Sequence, residues 1–175
     1  MLKKLVLTSK AWYSPLPLAA LELCYIGSFK GAVLSKIPVS ERKNVQHRLH
    51  RYILLVPAVV FAILAYFTAL NHIYCGIIAL FTGALATLYC RPDLKGKIWV
   101  GGLLFSILYF IYFGSILLFY PDYVKLYWNL DALTHILVLG VPVEELLFAF
   151  SFGMLWSSLY EHVYWQRLVK ETEPS

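Results

Sequence analysis

Uncharged apolar runs alternate with short charged segments along the chain. Residues 52–70 and 73–90 carry no charge, and each has the roughly 18 to 20 residues that a helix needs to cross hydrocarbon. Both are expected to span a membrane, and with only Asn71 and His72 between them they form an antiparallel hairpin. Residues 98–120 are a third uncharged run, with Gly101, Gly102 and Gly114 available for close helix contact. The fourth run, 132–160, is mostly apolar but contains His135, Pro142, Glu144 and Glu145. Residues 15–35 are a weaker fifth run, carrying Pro15, Pro17, Glu22 and Lys30, and either span or lie in the interface. The pattern predicts an all-α membrane protein, a bundle of four to five transmembrane helices in a single domain over 1–175, with 161–175 as a short cytoplasmic tail.

Loop charge orients the bundle. Lys36, Arg42, Lys43, Arg48 and Arg51, then Arg91, Lys95 and Lys97, then Arg167 and Lys170 fall between or after the spans, where the positive-inside rule sets them in the cytoplasm. The opposite side receives Asp122, Lys125 and Asp131. Trp12, Trp99, Tyr120, Tyr127, Trp128 and Trp165 sit near span ends, as interfacial aromatics do. Composition agrees, with 60% apolar residues, a mean hydropathy of +0.68 and 14% charged residues, against about 25% in soluble domains. Topology accounts for the net charge of +5, so no nucleic-acid partner is expected. No Gly-rich phosphate loop follows a strand-like run, which argues against nucleotide chemistry. Cys24, Cys75 and Cys90 lack a CxxC spacing and read as buried thiols. Leu5–Leu7 is too short for a signal-peptide core, so the spans themselves are expected to direct insertion.

The chemistry concentrates in the last run. Counted from Ala132, Glu144 lies about 18 Å along a continuous helix, near the middle of a ~30 Å slab. An ionised acid at that depth costs on the order of 3 kcal/mol, and two adjacent acids repel. One of the pair is therefore expected to hold a proton while the other accepts one. On a helix, Glu144 and Glu145 lead onto Phe148, Phe152 and Trp156, an aromatic wall that favours positive charge. Pro142 is expected to kink the helix beside the acids, with Gly140 easing the bend. Asp131 and His135, four apart, are expected to share a helical face and support the pair from outside. The bland alternative pairs the two Glu with Lys30, a His or backbone groups. A metal site from Glu144, Glu145, His135 and His162 is strained, because His162 stands about 27 Å of helix from Glu144. Neither a metal nor a cofactor is expected.

Trp128-Asn129, followed after 12 residues by Pro142-Val143-Glu144-Glu145-Leu146-Leu147-Phe148, resembles the signature of the integral-membrane lycopene cyclase domain. This is the flavin-independent type of heterodimeric bacterial cyclases and fungal bifunctional enzymes. The family has a Gly-x-Pro-x-Glu-Glu-x-x-Phe run on its last helix, and Gly140 to Phe148 read GVPVEELLF. Glu22 and the basic 36–51 segment also fit, more loosely. The resemblance implies cyclisation of a linear carotene or other long isoprenoid without redox chemistry. Glu145 would then be the proton donor and Glu144 the acceptor, with Phe148, Phe152, Trp156, Trp128 and Asn129 around the substrate. It also implies residence in the cytoplasmic membrane of a bacterium, with the C-terminus inside. The chain carries one copy of a motif that functional enzymes pair, so the implied partner is a second copy of the chain or a second cyclase-domain chain.

Two other readings fit the same residues. A non-catalytic membrane subunit or isoprenoid-binding protein would keep the domain without turnover. An intramembrane prenyl-protein protease also uses a Glu-Glu pair, but its motif has an Arg where Ala149 stands, and no apolar span follows residue 165.

Overall fold

The computed structural model describes residues 32–38, 50 and 52–170, and over these the chain is mostly helical. Strand β1 (Ala32–Lys36) precedes a 3-10 turn at Ile53–Leu55 and helix α1 (Val56–Phe67). Pro57 falls in the first turn of α1, where a missing N–H leaves no bond broken. Helix α2 (His72–Cys90) is capped by Asn71, whose side chain accepts from the Ile73 N–H at 3.2 Å. Helix α3 (Lys95–Phe119) is followed by the short α4 (Tyr123–Tyr127). A two-residue hairpin, β2 (Leu137–Val138) and β3 (Val141–Pro142), leads into α5 (Val143–Tyr164), and β4 (Gln166–Lys170) pairs antiparallel with β1. Among the described residues, α2 and the segment Pro92–Phe119 are long and apolar enough to cross a membrane, and α1 is a shorter apolar helix.

Helix α5 is the centre of the packing. It runs alongside α2 in the same direction and against α3 in the opposite one, while α1 folds back on the outer side of α2. Small residues set these approaches. Gly153 on α5 meets Gly101 and Gly102 on α3, and Gly83 on α2 meets Pro57 on α1, each too closely to admit a Cβ. Ala84, Leu94, Ile98 and Met154 close one side of the α2–α5–α3 layer. Gly114, expected at a helix contact, faces open space.

The structure departs from the expected layout in the last run, at Pro142, in the tail and in its strand content. Residues 132–160 are not one helix: a 3-10 turn (Leu130–Ala132), a loop and the hairpin occupy 130–142, and α5 begins only at Val143. Gly140 at φ +88° and Leu139 at φ +51° make the hairpin turn. Pro142 cannot donate into the helix behind it, so it ends the hairpin and stands as N-cap rather than as a kink. The region 161–175 does not begin as a tail, because α5 continues to Tyr164 and β4 follows. The run 15–35 ends in strand at 32–35, and residues 15–31, with Glu22, Cys24 and Lys30, lie outside the described residues. The two small sheets also make the protein not purely α.

Candidate acid–base site

Because α5 starts at Val143, Glu144 and Glu145 occupy its first turn, not the middle of a long helix, and the depth counted from Ala132 no longer applies. The positive end of the helix dipole favours negative charge there. Glu144 is 1% exposed. Its Oε1 accepts three hydrogen bonds: from the Thr134 backbone N–H at 2.7 Å, the Thr134 hydroxyl at 2.6 Å and the Tyr74 hydroxyl at 2.9 Å. Its Oε2 is buried with no partner among the described residues. Glu145 is partly buried and uses both oxygens, Oε1 accepting from Trp128 Nε1 at 3.0 Å and Oε2 from the Tyr109 hydroxyl at 2.7 Å. Adjacent positions on a helix point about 100° apart, so the two carboxyls address different neighbours: α2 and the preceding loop for Glu144, α3 and Trp128 for Glu145.

Phe148, Phe152 and Trp156 follow at four-residue spacing and stack as a ladder, Phe148 on Phe152 at 6.5 Å and Phe152 on Trp156 at 5.5 Å between ring centres. Phe105 of α3 adds to the ladder, 5.2 Å from Phe152, and a Cβ on Gly76 of α2 would stand 3.2 Å from the Phe148 ring. The ladder therefore lines a face between α2 and α3, and Trp156 at its end is 39% exposed. Trp128 packs edge-on to Phe113 at 5.4 Å, which fixes the indole N–H toward Glu145. Asn129 touches neither carboxyl; with Trp128, Asn71, Ile73, Tyr127 and Leu133 it lines a cavity of about 230 Å³.

Asp131 and His135 do approach one another, at 3.5 Å, but both are exposed, Asp131 on the 3-10 turn and His135 on the loop after it, rather than on one helix face. Neither bonds a carboxyl; Thr134 between them does, and His135 at φ +61° turns the chain just after it. The sequence reading missed Thr134, Tyr74 and Tyr109. The two tyrosines had a signal, since a hydroxyl inside an uncharged run needs a partner when buried. Thr134 had none.

A second polar cluster stands at the other end of α5. Arg91 is fully buried, binds Asp93 through Nε at 2.8 Å and Nη2 at 2.7 Å, and donates to the carbonyls of Glu161 at 3.0 Å and Gln166 at 2.9 Å. Lys97 pairs with Glu161, and His162 stacks on His50, which stacks on Trp165. This cluster ties the α2–α3 connection to the end of α5, with every Arg91 nitrogen engaged. Among the described residues, no three His, Cys, Asp or Glu side chains converge as a metal site.

No curated protein and no solved structure matches the chain. The model of one family, lycopene cyclase, matches residues 71–163. That match covers just over half of the sequence and takes in Tyr74, Tyr109, Trp128, Thr134 and both carboxyls. On that match the chain belongs to the lycopene cyclase family.

Proposed function

We propose that the protein closes the end group of a linear carotene inside the membrane by acid–base catalysis, with Glu145 as proton donor and Glu144 as acceptor. The unequal surroundings of the adjacent carboxyls carry this reading. Glu145 takes the Trp128 N–H on Oε1, and its 2.7 Å contact with the Tyr109 hydroxyl works equally with the proton on Oε2. Glu144 concentrates three donors on Oε1 and keeps Oε2 bare.

In the reaction the Glu145 O–H bond breaks and a C–H bond forms at the terminal double bond, leaving a tertiary cation. The electron pair of an internal double bond attacks that cation and closes the ring, moving the charge to a ring carbon. Glu144 then takes a proton from a neighbouring carbon, and the C–H electron pair becomes the ring double bond. Nothing is oxidised or reduced, so no cofactor is needed. The proton left on Glu144 must return to Glu145 before the next turnover. Water would capture the cation, so the burial of Glu144 and an apolar approach along Phe148, Phe152 and Trp156 suit the chemistry, and the ring faces stabilise the charge.

Two helices long and apolar enough to cross a membrane, with the shorter apolar α1, support a membrane setting, and the apolar runs of the sequence support four or five spans. Loop charge supports a cytoplasmic C-terminus in a bacterial membrane, with the carboxyls toward the opposite leaflet. A second copy of the chain, or a second cyclase-domain chain, would complete the assembly. The test is expression in cells accumulating lycopene, with and without a candidate second cyclase-domain chain. Glu144→Gln and Glu145→Gln are each expected to abolish ring formation at unchanged membrane levels. Near-normal cyclisation by both single variants would overturn the mechanism. Absence of rings under every condition would leave a binding subunit.

A further inference from the structure

We infer that Thr134 and Tyr74 are positioning residues that decide which carbon of the cyclised cation loses its proton, and hence where the ring double bond forms. The inference rests on the acid–base reading above. The terminal torsion of a glutamate is broad and roughly two-fold, so a carboxylate left alone offers either oxygen over a wide arc. Here that freedom is removed. Thr134 on the loop and Tyr74 on α2 hold Oε1 from separate elements through three donors at 2.6 to 2.9 Å. A full flip only exchanges two equivalent oxygens, but any rotation short of it pulls the bonded oxygen off its three donors and forfeits those bonds. Oε2, buried and without a partner among the described residues, is then the oxygen of Glu144 left to take the proton. The Thr134 end of the clamp is fixed in turn, since the Val143 N–H donates to the Ile136 carbonyl at 3.0 Å and ties the loop to the start of α5.

The chemistry makes this placement matter. Ring closure leaves a tertiary cation flanked by a ring CH, a ring CH2 and a methyl group. Proton loss from each gives a different double-bond isomer, in each case with the C–H electron pair forming the new C=C and the proton passing to Oε2. The three hydrogens lie within a few bonds of one another, so a base that wanders by an ångström yields a mixture, and a clamped one selects.

Thr134→Val removes the hydroxyl donor with little change of shape and leaves the backbone N–H. Tyr74→Phe removes a donor from a different element, so poor insertion of one variant leaves the other to decide. Both are expressed in lycopene-accumulating cells and the ring isomers are separated by chromatography. We expect the protein as it stands to give one dominant isomer. In either variant the minor isomers should rise about tenfold relative to it, the factor that one charge-assisted hydrogen bond carries. Thr134→Ser should restore the original ratio. Slower turnover with an unchanged isomer ratio in both variants would overturn the inference while leaving the acid–base mechanism standing. Failure of the unmodified chain to close any ring, alone or with a second cyclase-domain chain, would remove both.

Discussion

Gly153→Ala tests whether the close approach of α3 and α5 holds the candidate acid–base site together. A Cβ at Gly153 would stand 2.6 Å from the Phe105 Cβ, 2.7 Å from the Gly101 carbonyl oxygen and 3.1 Å from the Gly102 Cα. Two of these atoms are backbone and the third is fixed to it, so no side chain can rotate away. Ordinary contact begins near 3.4 Å, which requires the helices to separate by about 0.7 Å, a case of overpacking that costs roughly 1 to 3 kcal/mol. For a chain of this size that corresponds to a fall of about 3 to 10 °C in Tm, read by thermal unfolding in detergent. The Tyr109–Glu145 hydrogen bond, 2.7 Å long, sits about 12 Å back toward the start of α5. Transmitted to that point, the separation would stretch it to about 3.4 Å, past the normal range for O–H···O, so ring formation should fall with stability. Gly114→Ala is the control: its Cβ meets nothing within 4 Å, and the better helix propensity of Ala should leave Tm equal or slightly raised. Equal melting of Gly153→Ala and the unmodified protein would refute the packing argument.

Two further outcomes follow from the hydrogen bonds. Trp128→Phe keeps the ring against Phe113 but removes the N–H that reaches Glu145; ring formation should drop about 10- to 100-fold with normal protein levels in membranes, and an unchanged product yield would show that the indole is only a packing group. Arg91→Lys keeps the charge but not the fork that serves Asp93 and two carbonyls. It should lower stability by about 2 to 3 kcal/mol and expose the segment after Trp165 to proteolysis; an unaltered digestion pattern would argue against the clamp.

The carboxyl pair was legible without coordinates because an apolar run makes acids conspicuous. Two adjacent acids in an apolar run demand a reason, and the run around Gly140 and Pro142 carries a family signature. The bounds of α2 and α3 were legible for the same kind of reason, since a long uncharged stretch admits few structures other than a helix. The start of α5 was not. Hydropathy is continuous through Leu133, Ile136, Leu137, Val138 and Leu139, although the last four are exposed on a loop and hairpin. An apolar run has no mark where helix gives way to turn except Gly140 and Pro142, and that pair fits a kink and a boundary alike.

Hydrophobicity and charge are properties of single positions, so the sequence alone determined the helical character, the uneven charge of its loops and the two acids on which a proton chemistry would rest. Which donor meets which carboxyl is a property of distance between segments far apart in the chain. Tyr74 lies 70 residues from Glu144 and Tyr109 lies 36 from Glu145; only the packing of α2 and α3 against α5, set by Gly76, Gly101, Gly102 and Gly153, brings them within hydrogen-bond reach. The asymmetry between the acids, with one oxygen of Glu144 held three times and the other left bare, is therefore a consequence of tertiary structure.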